Sequence, residues 1–576
     1  MAPRSVFPRS FDGFAAIGLV TALAALAPIA ALAVVAFGGE ATTWRHLFVS
    51  VVPRAAVETA LLALGVVVFV GTVGTASAWL VATRDFPGRR LLEVLLLLPL
   101  AFPAYVLAYS WLDLLHPIGP VQTALRDLLG YARPADLRLP DLRSLPGAVL
   151  VFGFALYPYV YVATRTVFLS QTTTLIEAAR MLGARPARVF FGVALPLARP
   201  ALAAGCSLAV METLNDVGAA EFLSVNTLTA AVWSTWVNRS DLAGAAQIAL
   251  AMLTFVVALL MLERLARGGR GYAVFGRAGR PLAPRRVAGL RGLGLFCLGL
   301  LPALFGFVFP AVHLVRQAWQ RLAFAGLAEE IVRETVDTVL VAAATTLLVV
   351  ALAALLVSGR RLRVGSRLSA ACLRLASLGY AVPGTVLAIG LLVVYGTIDA
   401  GLRALVAGLG GPALGLVLSA SFAGVVIALA LRFFRLAAAK IEAALDRVSP
   451  SLEQSARMLG RRPFAAMRAV HWPLLAPAYA GAALLVFVDC MKELPATLLL
   501  RPLGFETLST RLYGEAARGT YENGALAACL IVAFGLLPIV LMTRIGRRPA
   551  LAEVPPTAAA LDPVPAAPAA EAGEPA

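Results

Sequence analysis

The sequence is short of almost everything a water-facing surface requires. Only 14% of its 576 residues are charged, and lysine occurs just twice, as Lys440 and Lys492. A soluble chain of ordinary composition carries about a quarter of its residues as charges. Neither lysine follows a glycine: Ala439 precedes Lys440 and Met491 precedes Lys492. A phosphate-binding P-loop ends in Gly-Lys-Ser/Thr, so the chain has no Walker-type nucleotide site. Histidine is limited to His46, His116, His313 and His471, scattered singly. The five cysteines, Cys206, Cys297, Cys372, Cys490 and Cys529, are odd in number and lie in or beside apolar runs. They give neither a disulfide framework nor a zinc spacing. With no Ser/His/Asp arrangement either, the sequence offers no catalytic site.

What it has in abundance is apolar length. The chain is 60% hydrophobic with a mean hydropathy of +0.84. Runs of about 20 residues recur, each enough to cross a hydrocarbon core of roughly 30 Å. They fall near 14–37, 56–82, 91–113, 147–169, 200–222 and 243–263, and then near 293–315, 335–357, 370–396, 413–434, 475–499 and 523–543. The runs are continuous rather than alternating, which argues against a closed β-barrel. The first exceeds a signal-peptide core of roughly 7–15 residues and reads as a retained helix. The expected fold is an all-α polytopic membrane protein with about twelve transmembrane helices, six in each half.

The formal charge of +17 is almost entirely arginine. In a membrane protein arginine collects in cytoplasmic loops, so the charge marks topology and not nucleic-acid binding. The stretch 264–291 holds Arg264, Arg267, Arg270, Arg277, Arg280, Arg285, Arg286 and Arg291 with no acid, and is read as cytoplasmic. The loop 114–146 sets Arg126, Arg133, Arg138 and Arg143 against Asp127, Asp136 and Asp141, which suits the outside. Six spans per half then put both termini in the cytoplasm. The chain divides into a first half at 1–263, a basic linker at 264–291, a second half at 292–545 and a Pro/Ala-rich tail at 546–576. The tail has no packing face and is expected to be disordered.

One short passage occurs twice, 277 positions apart. "EAARMLGARPARVFFGVALP" at 177–196 is matched by "QSARMLGRRPFAAMRAVHWP" at 454–473. Arg180, Met181, Leu182 and Gly183 correspond to Arg457, Met458, Leu459 and Gly460. Arg185 and Pro186 correspond to Arg462 and Pro463, and Pro196 to Pro473. The chain is thus an internal duplication, its copies parallel because each half has an even number of spans. Thr174 stands three residues before Glu177, and Ser451 three before Gln454, the spacing of a capping box. Gly183 and Gly460 supply left-handed helix stops. Each island therefore predicts a helix of about two turns, too short to be stable without a partner surface. Ala178 and Ala179, or Ser455 and Ala456, allow another backbone to come close.

The pattern Glu-Ala-Ala, three residues, Gly, nine residues, an aliphatic residue, any residue, Leu-Pro resembles the "EAA loop" of binding-protein-dependent ABC importer permeases. The first copy matches at Glu177, Ala178, Ala179, Gly183, Val193, Leu195 and Pro196. The second matches at Ala456, Gly460, Val470 and Pro473, and departs at Gln454, Ser455 and Trp472. The resemblance implies the type I permease fold, in a bacterial cytoplasmic (inner) membrane. It also implies coupling loops at 171–200 and 448–477 whose short helices seat on ATPase subunits. Two such helices on one chain imply two copies of an ABC ATPase subunit, which bind the ATP and Mg, and a periplasmic or extracellular substrate-binding protein. This chain itself is expected to bind no cofactor.

Charges inside apolar spans are costly and face a pathway or a partner. Glu212 and Asp216 follow the first island, and Asp489, Lys492 and Glu493 follow the second; at the 277-residue offset Glu212 pairs with Asp489 and Asp216 with Glu493. They are read as one acidic-walled translocation path, or as an interface network with Lys492 neutralising a carboxylate; both can hold at once. "KELPATLLLRP", "FETLSTRLY" and "ETLNDVG" are similar to segments of ferric-iron importer permeases, which implies a ferric cargo and no stable metal site. A thiamine importer permease is the alternative within the class. A secondary transporter can also be built from parallel halves, but needs no paired docking helices.

Overall fold

In hydrocarbon the backbone must satisfy its own hydrogen bonds, so long apolar runs fold as helices. The computed structural model describes residues 13–39, 41–170, 173–267, 284–362 and 367–545. The tail and the middle of the basic linker lie outside the described residues. Within them, eleven helices are long and apolar enough to span a membrane, or twelve if one bent pair is a single span. The first half contains α1 (Gly13–Gly38), α2 (Trp44–Thr83), α3 (Arg89–Ala101) and α4 (Ala104–Leu114). It continues through α5 (Leu145–Ser170), α6 (Thr173–Met181), α7 (Pro186–Asn215), α8 (Val217–Phe222) and α9 (Leu242–Arg267). The second half opens with α10 (Gly289–Ala325), α11 (Glu329–Leu362), α12 (Arg367–Ala376) and α13 (Gly384–Gly408). It closes with α14 (Phe422–Leu445), α15 (Pro450–Met458), α16 (Phe464–Met491), α17 (Pro495–Leu500) and α18 (Tyr521–Ile545). The expected all-α architecture of two repeated halves is what forms.

Four of the expected spans are broken. The run 91–113 bends by 95° between α3 and α4, at Phe102 and Pro103. The run 370–396 breaks between a tight turn at Ser377–Ala381 and α13, at Val382 and Pro383. In both, the residue before proline is extended, because the ring crowds it out of the helical region. The runs 200–222 and 475–499 end early, α7 at Asn215 and α16 at Met491, and the short helices α8 and α17 follow. The run expected at 413–434 starts late, because the Ser421 hydroxyl accepts the Gly424 N–H at 3.0 Å and fixes the start of α14.

Pro196 and Pro473 lie inside α7 and α16, not in loops. Each follows a π-helical turn, Phe190–Ala194 and Met467–His471. Pro53 and Pro310 likewise follow Leu47–Val51 and Leu304–Val308. A proline has no N–H to give and clashes with the carbonyl four residues back; in all four helices that carbonyl belongs to the widened turn. The duplicated proline thus continues a helix instead of ending one.

The halves are not separate in space. The first helix of each packs on the other: α1 runs along α12 and α13, and α10 lies against α4. Trp111 donates its indole N–H to the Phe305 carbonyl at 3.1 Å, and Asp113 takes His313 at 2.7 Å and Gln317 at 2.9 Å. The linker's end joins the other half too, with Arg84 and Asp85 paired in parallel to Arg285 and Arg286. Where α1 crosses α13, Gly390 leaves no room: an added Cβ would run into the Pro28 carbonyl oxygen. Gly396, further on in the same helix, faces open space. We expect Gly390→Ala to destabilise the purified protein by about 1–3 kcal/mol. Gly396→Ala should be neutral or gain up to about 1 kcal/mol from helix propensity. Thermal unfolding of the two variants in detergent checks the contrast.

Candidate functional site

The four helix breaks meet at one central cavity of about 850 Å³, counting the part open to solvent. Phe102, Pro103, Tyr105, Tyr159, Glu212, Asn215 and Asp216 wall it from the first half. Tyr380, Arg432, Phe433, Asp489, Lys492, Glu493 and Pro495 wall it from the second. All five charged residues expected along a path are therefore brought together. Four carboxylates and two cations leave the wall two charges negative.

Two of the carboxylates hold the breaks. Asp216 accepts the Ala219 N–H at 2.8 Å at the start of α8, and the Tyr105 N–H at 3.0 Å at the start of α4. Asn215 beside it accepts the Gly384 N–H at 3.3 Å at the start of α13. Glu493 does the same for α17, accepting N–H bonds from Ala496 at 2.8 Å and Thr497 at 2.9 Å and the Thr497 hydroxyl at 2.7 Å. These groups satisfy amides that a helix start leaves unpaired, and a negative charge at a helix N-terminus is electrostatically favoured.

Glu493 also pairs with Arg432 at 3.1 Å, both side chains nearly or fully buried. Lys492 pairs with Asp489 at 2.8 Å. The sequence reading that gave Lys492 a neutralising role was thus half complete: it missed Arg432, which takes the other carboxylate. An arginine in the middle of the apolar run of α14 was the signal, since such a charge needs a partner. The cavity tyrosines Tyr105, Tyr159 and Tyr380 were also missed, and nothing in their spacing marks them. Among the described residues, no three His, Cys, Asp or Glu side chains converge as metal ligands.

The two islands form helices as expected, α6 and α15, of nine residues each. Gly183 and Gly460 adopt φ of +75° and +73°, and the backbone closes over them, Ala184 N–H to the Ala179 carbonyl and Arg461 N–H to the Ala456 carbonyl. The capping box of the second copy does not form. Thr174 and Ser451 lie inside the first turns of their helices, because each helix starts earlier; the side chain of Thr174 is outside the described residues. In the second copy the N-terminal role passes to Ser449, whose hydroxyl takes the Ser451 N–H at 3.4 Å. Glu177, Ala178 and Gln454 are exposed, Ala179 is half-buried and Ala456 is buried. Beside each glycine stop a Met-Leu pair is bare: Met181 and Leu182, 90% and 88% exposed, and Met458 and Leu459, 90% and 80%. Two apolar side chains held into solvent by each short helix form a ready contact for another protein.

Beneath the islands the halves differ. In the first, Ile176 and Ala194 are both apolar and fully buried. At the 277-residue offset stand Glu453 and His471, joined at 3.2 Å, with Arg361 at 3.1 Å from the same carboxylate oxygen. Burial alone would push the Glu453 carboxyl up, but the His471 hydrogen bond and the Arg361 guanidinium outweigh it and hold it below the usual range. A depressed carboxyl stabilises the fold above the unfolded value of about 4.3, and that stability is lost as pH falls through the lower folded value. The melting temperature of the wild type should therefore fall more steeply than that of Glu453→Gln on acidification from about pH 5 to pH 3. Parallel curves in a thermal-shift series would remove this contribution.

Comparison with known proteins completes the picture. The family model "Binding-protein-dependent transport system inner membrane component" matches residues 71–268 and again residues 335–550. The Fe(3+)-transport system permease protein FbpB 2 of Haemophilus influenzae is 24% identical over 496 residues, 84% of this chain and 89% of that one. The molybdenum transport system permease protein ModB of Escherichia coli is 32% identical over 214 residues, 36% of this chain and 88% of its own. A putative 2-aminoethylphosphonate transport system permease protein, PhnU of Salmonella choleraesuis, is 29% identical over 202 residues, 34% of this chain and 70% of its own. The broken helices around one cavity and the twice-made exposed helix belong together, because the chain belongs to the binding-protein-dependent inner-membrane permeases of ABC importers and carries that family's domain twice.

Proposed function

We propose that this permease imports ferric iron, driven by ATP and Mg bound on two copies of a separate ABC ATPase subunit. An external binding protein delivers the cargo to the face opposite the islands, and both termini lie in the cytoplasm. The observation that carries the cargo is the wall of the cavity: surplus carboxylates and three phenols, hard oxygen groups that suit a hard trivalent cation. The nearly full-length likeness to a protein named for Fe(3+) transport supports the same reading. The molybdenum and 2-aminoethylphosphonate relatives align with only about a third of the chain each. A net negative wall suits an anionic cargo poorly.

Coupling follows from two continuous helices. α7 has 30 residues and α16 has 28, so each reaches about 40–45 Å from its island to the cavity. Glu212 and Asp489 sit near their far ends. Closure of the ATPase pair moves α6 and α15, and the long helices carry that displacement to the carboxylates. The two attachments differ in kind, buried apolar side chains at α6 and an ionic cluster at α15. The halves are read as 1–263 and 292–545, joined by the linker 264–291, with α1 and α10 exchanged across their boundary.

Two experiments test this. Gly183→Val and Gly460→Val place a β-branched residue where φ is positive while facing open space, so they distort only the helix stop. We expect each to weaken co-purification of the ATPase subunit and the double variant to abolish it; undiminished co-purification would count against docking there. For the cargo, uptake of labelled ferric citrate should disappear in cells lacking this chain and return on complementation, with excess thiamine having no effect. Competition by thiamine would transfer the assignment to that cation.

A further inference from the structure

The duplication copies the carboxylates of the cavity and not its cations. Glu212 corresponds to Asp489 and Asp216 to Glu493, but Lys492 corresponds to Asn215 and Arg432 to Ala155. Both cations therefore come from the second half, and all of these residues line the same cavity. They are spent differently. Arg432 is locked on Glu493, which also holds three donors of α17. Asp216 is occupied by two backbone amides. What remains is Glu212 from one half, Asp489 from the other, and one ammonium between them.

Lys492 bonds Asp489 at 2.8 Å, and both side chains are about a quarter exposed to the cavity. The Glu212 carboxylate makes no hydrogen bond or ion pair among the described residues. A flexible, strongly hydrated ammonium on a four-carbon stem can leave a carboxylate, as a fixed guanidinium fork cannot. The two pairs are thus of different kinds, Arg432–Glu493 permanent and Lys492–Asp489 exchangeable.

We propose that Lys492 is the resident counter-ion of the path, a tethered cation that holds Asp489 until the cargo displaces it. This rests on the reading of the cavity as a path for a trivalent cation. With Lys492 on Asp489, Glu212 is the one cavity carboxylate left with neither a counter-ion nor a hydrogen-bond donor among the described residues, and a cation is held weakly. When the ammonium swings away, Glu212 and Asp489 face the cargo from opposite halves. Its return to Asp489 competes the cargo off again, which keeps an acidic path from becoming a trap. The asymmetry has a consequence: expulsion is performed by the second half alone.

The test uses the full transporter, this chain with its ATPase and binding protein, in proteoliposomes. Ferric citrate uptake is measured with Ga(III), a redox-inert trivalent ion, as inhibitor. Lys492→Met should let Ga(III) inhibit at about tenfold lower concentration while the maximal rate of iron uptake falls, since a charge beside the site is removed. Lys492→Arg keeps the charge but not the mobility, and should lower the rate without that gain in Ga(III) sensitivity. Asp489→Asn combined with Lys492→Met removes the pair as a unit and should bring the inhibitory concentration back towards wild type. The double variant also guards against a fold that fails for want of one partner. Unchanged or weaker Ga(III) inhibition in Lys492→Met, with normal assembly and with iron uptake intact in the wild type, overturns the counter-ion role alone. Absence of ferric uptake by the wild type overturns the cargo reading and this inference with it.

Discussion

Everything at the centre of this molecule depends on one constraint: a helix that breaks inside a bilayer frees amides that lipid cannot satisfy. Four helices break here, and side chains beside the breaks bond the freed groups. Asp216 serves the starts of α8 and α4 together, Asn215 serves α13, and Glu493 serves α17. The cost of interrupting four spans is offset because the interruptions face one another around a polar cavity. The cavity and the caps require each other. Without the carboxylates the breaks would carry unpaired amides, and without the breaks the carboxylates would lie against continuous helix.

That arrangement separates two uses of charge. Asp216 and Glu493 are architectural, saturated by amides and, for Glu493, by Arg432. Glu212 and Asp489 stand at the ends of the two long helices, where the Lys492 ammonium pairs with Asp489. Charge with a structural duty lies at the cap positions, and the carboxylates proposed here for the path lie one turn earlier, in both halves. The same division holds at the opposite end of the long helices. There the glycine stops fix the shape of α6 and α15, while the bare Met-Leu pairs provide what another chain can grip.

Duplication has not meant symmetry. The buried apolar residues Ile176 and Ala194 and the ionic pair Glu453–His471, joined by Arg361, occupy equivalent places. Both cavity cations belong to the second half. Fusion of two halves in one chain permits this, since each copy can change without forcing the same change on the other. Exchange of α1 and α10 across the boundary binds the unequal halves into a single bundle.

The sequence by itself determined the helical class, the repeat, the short island helices and the glycine positions that end them. These are local matters, set by apolar length, by the 277-residue correspondence and by the freedom of glycine at positive φ. It also brought Glu212, Asp216, Asp489, Lys492 and Glu493 into one group, because charge in an apolar run has few places to go. It did not show where the spans break. Asn215 and Asp216 look the same in a string whether the helix continues or stops, and the outcome depends on amides of Tyr105 and Gly384, more than a hundred residues away in the chain. Nor did it reveal that Arg432 takes Glu493, that Ser449 replaces Ser451 at the helix start, or that α1 and α10 cross over. Those were decided only by tertiary structure, because each is a choice between partners equally acceptable in chemistry and different only in where the packed bundle places them.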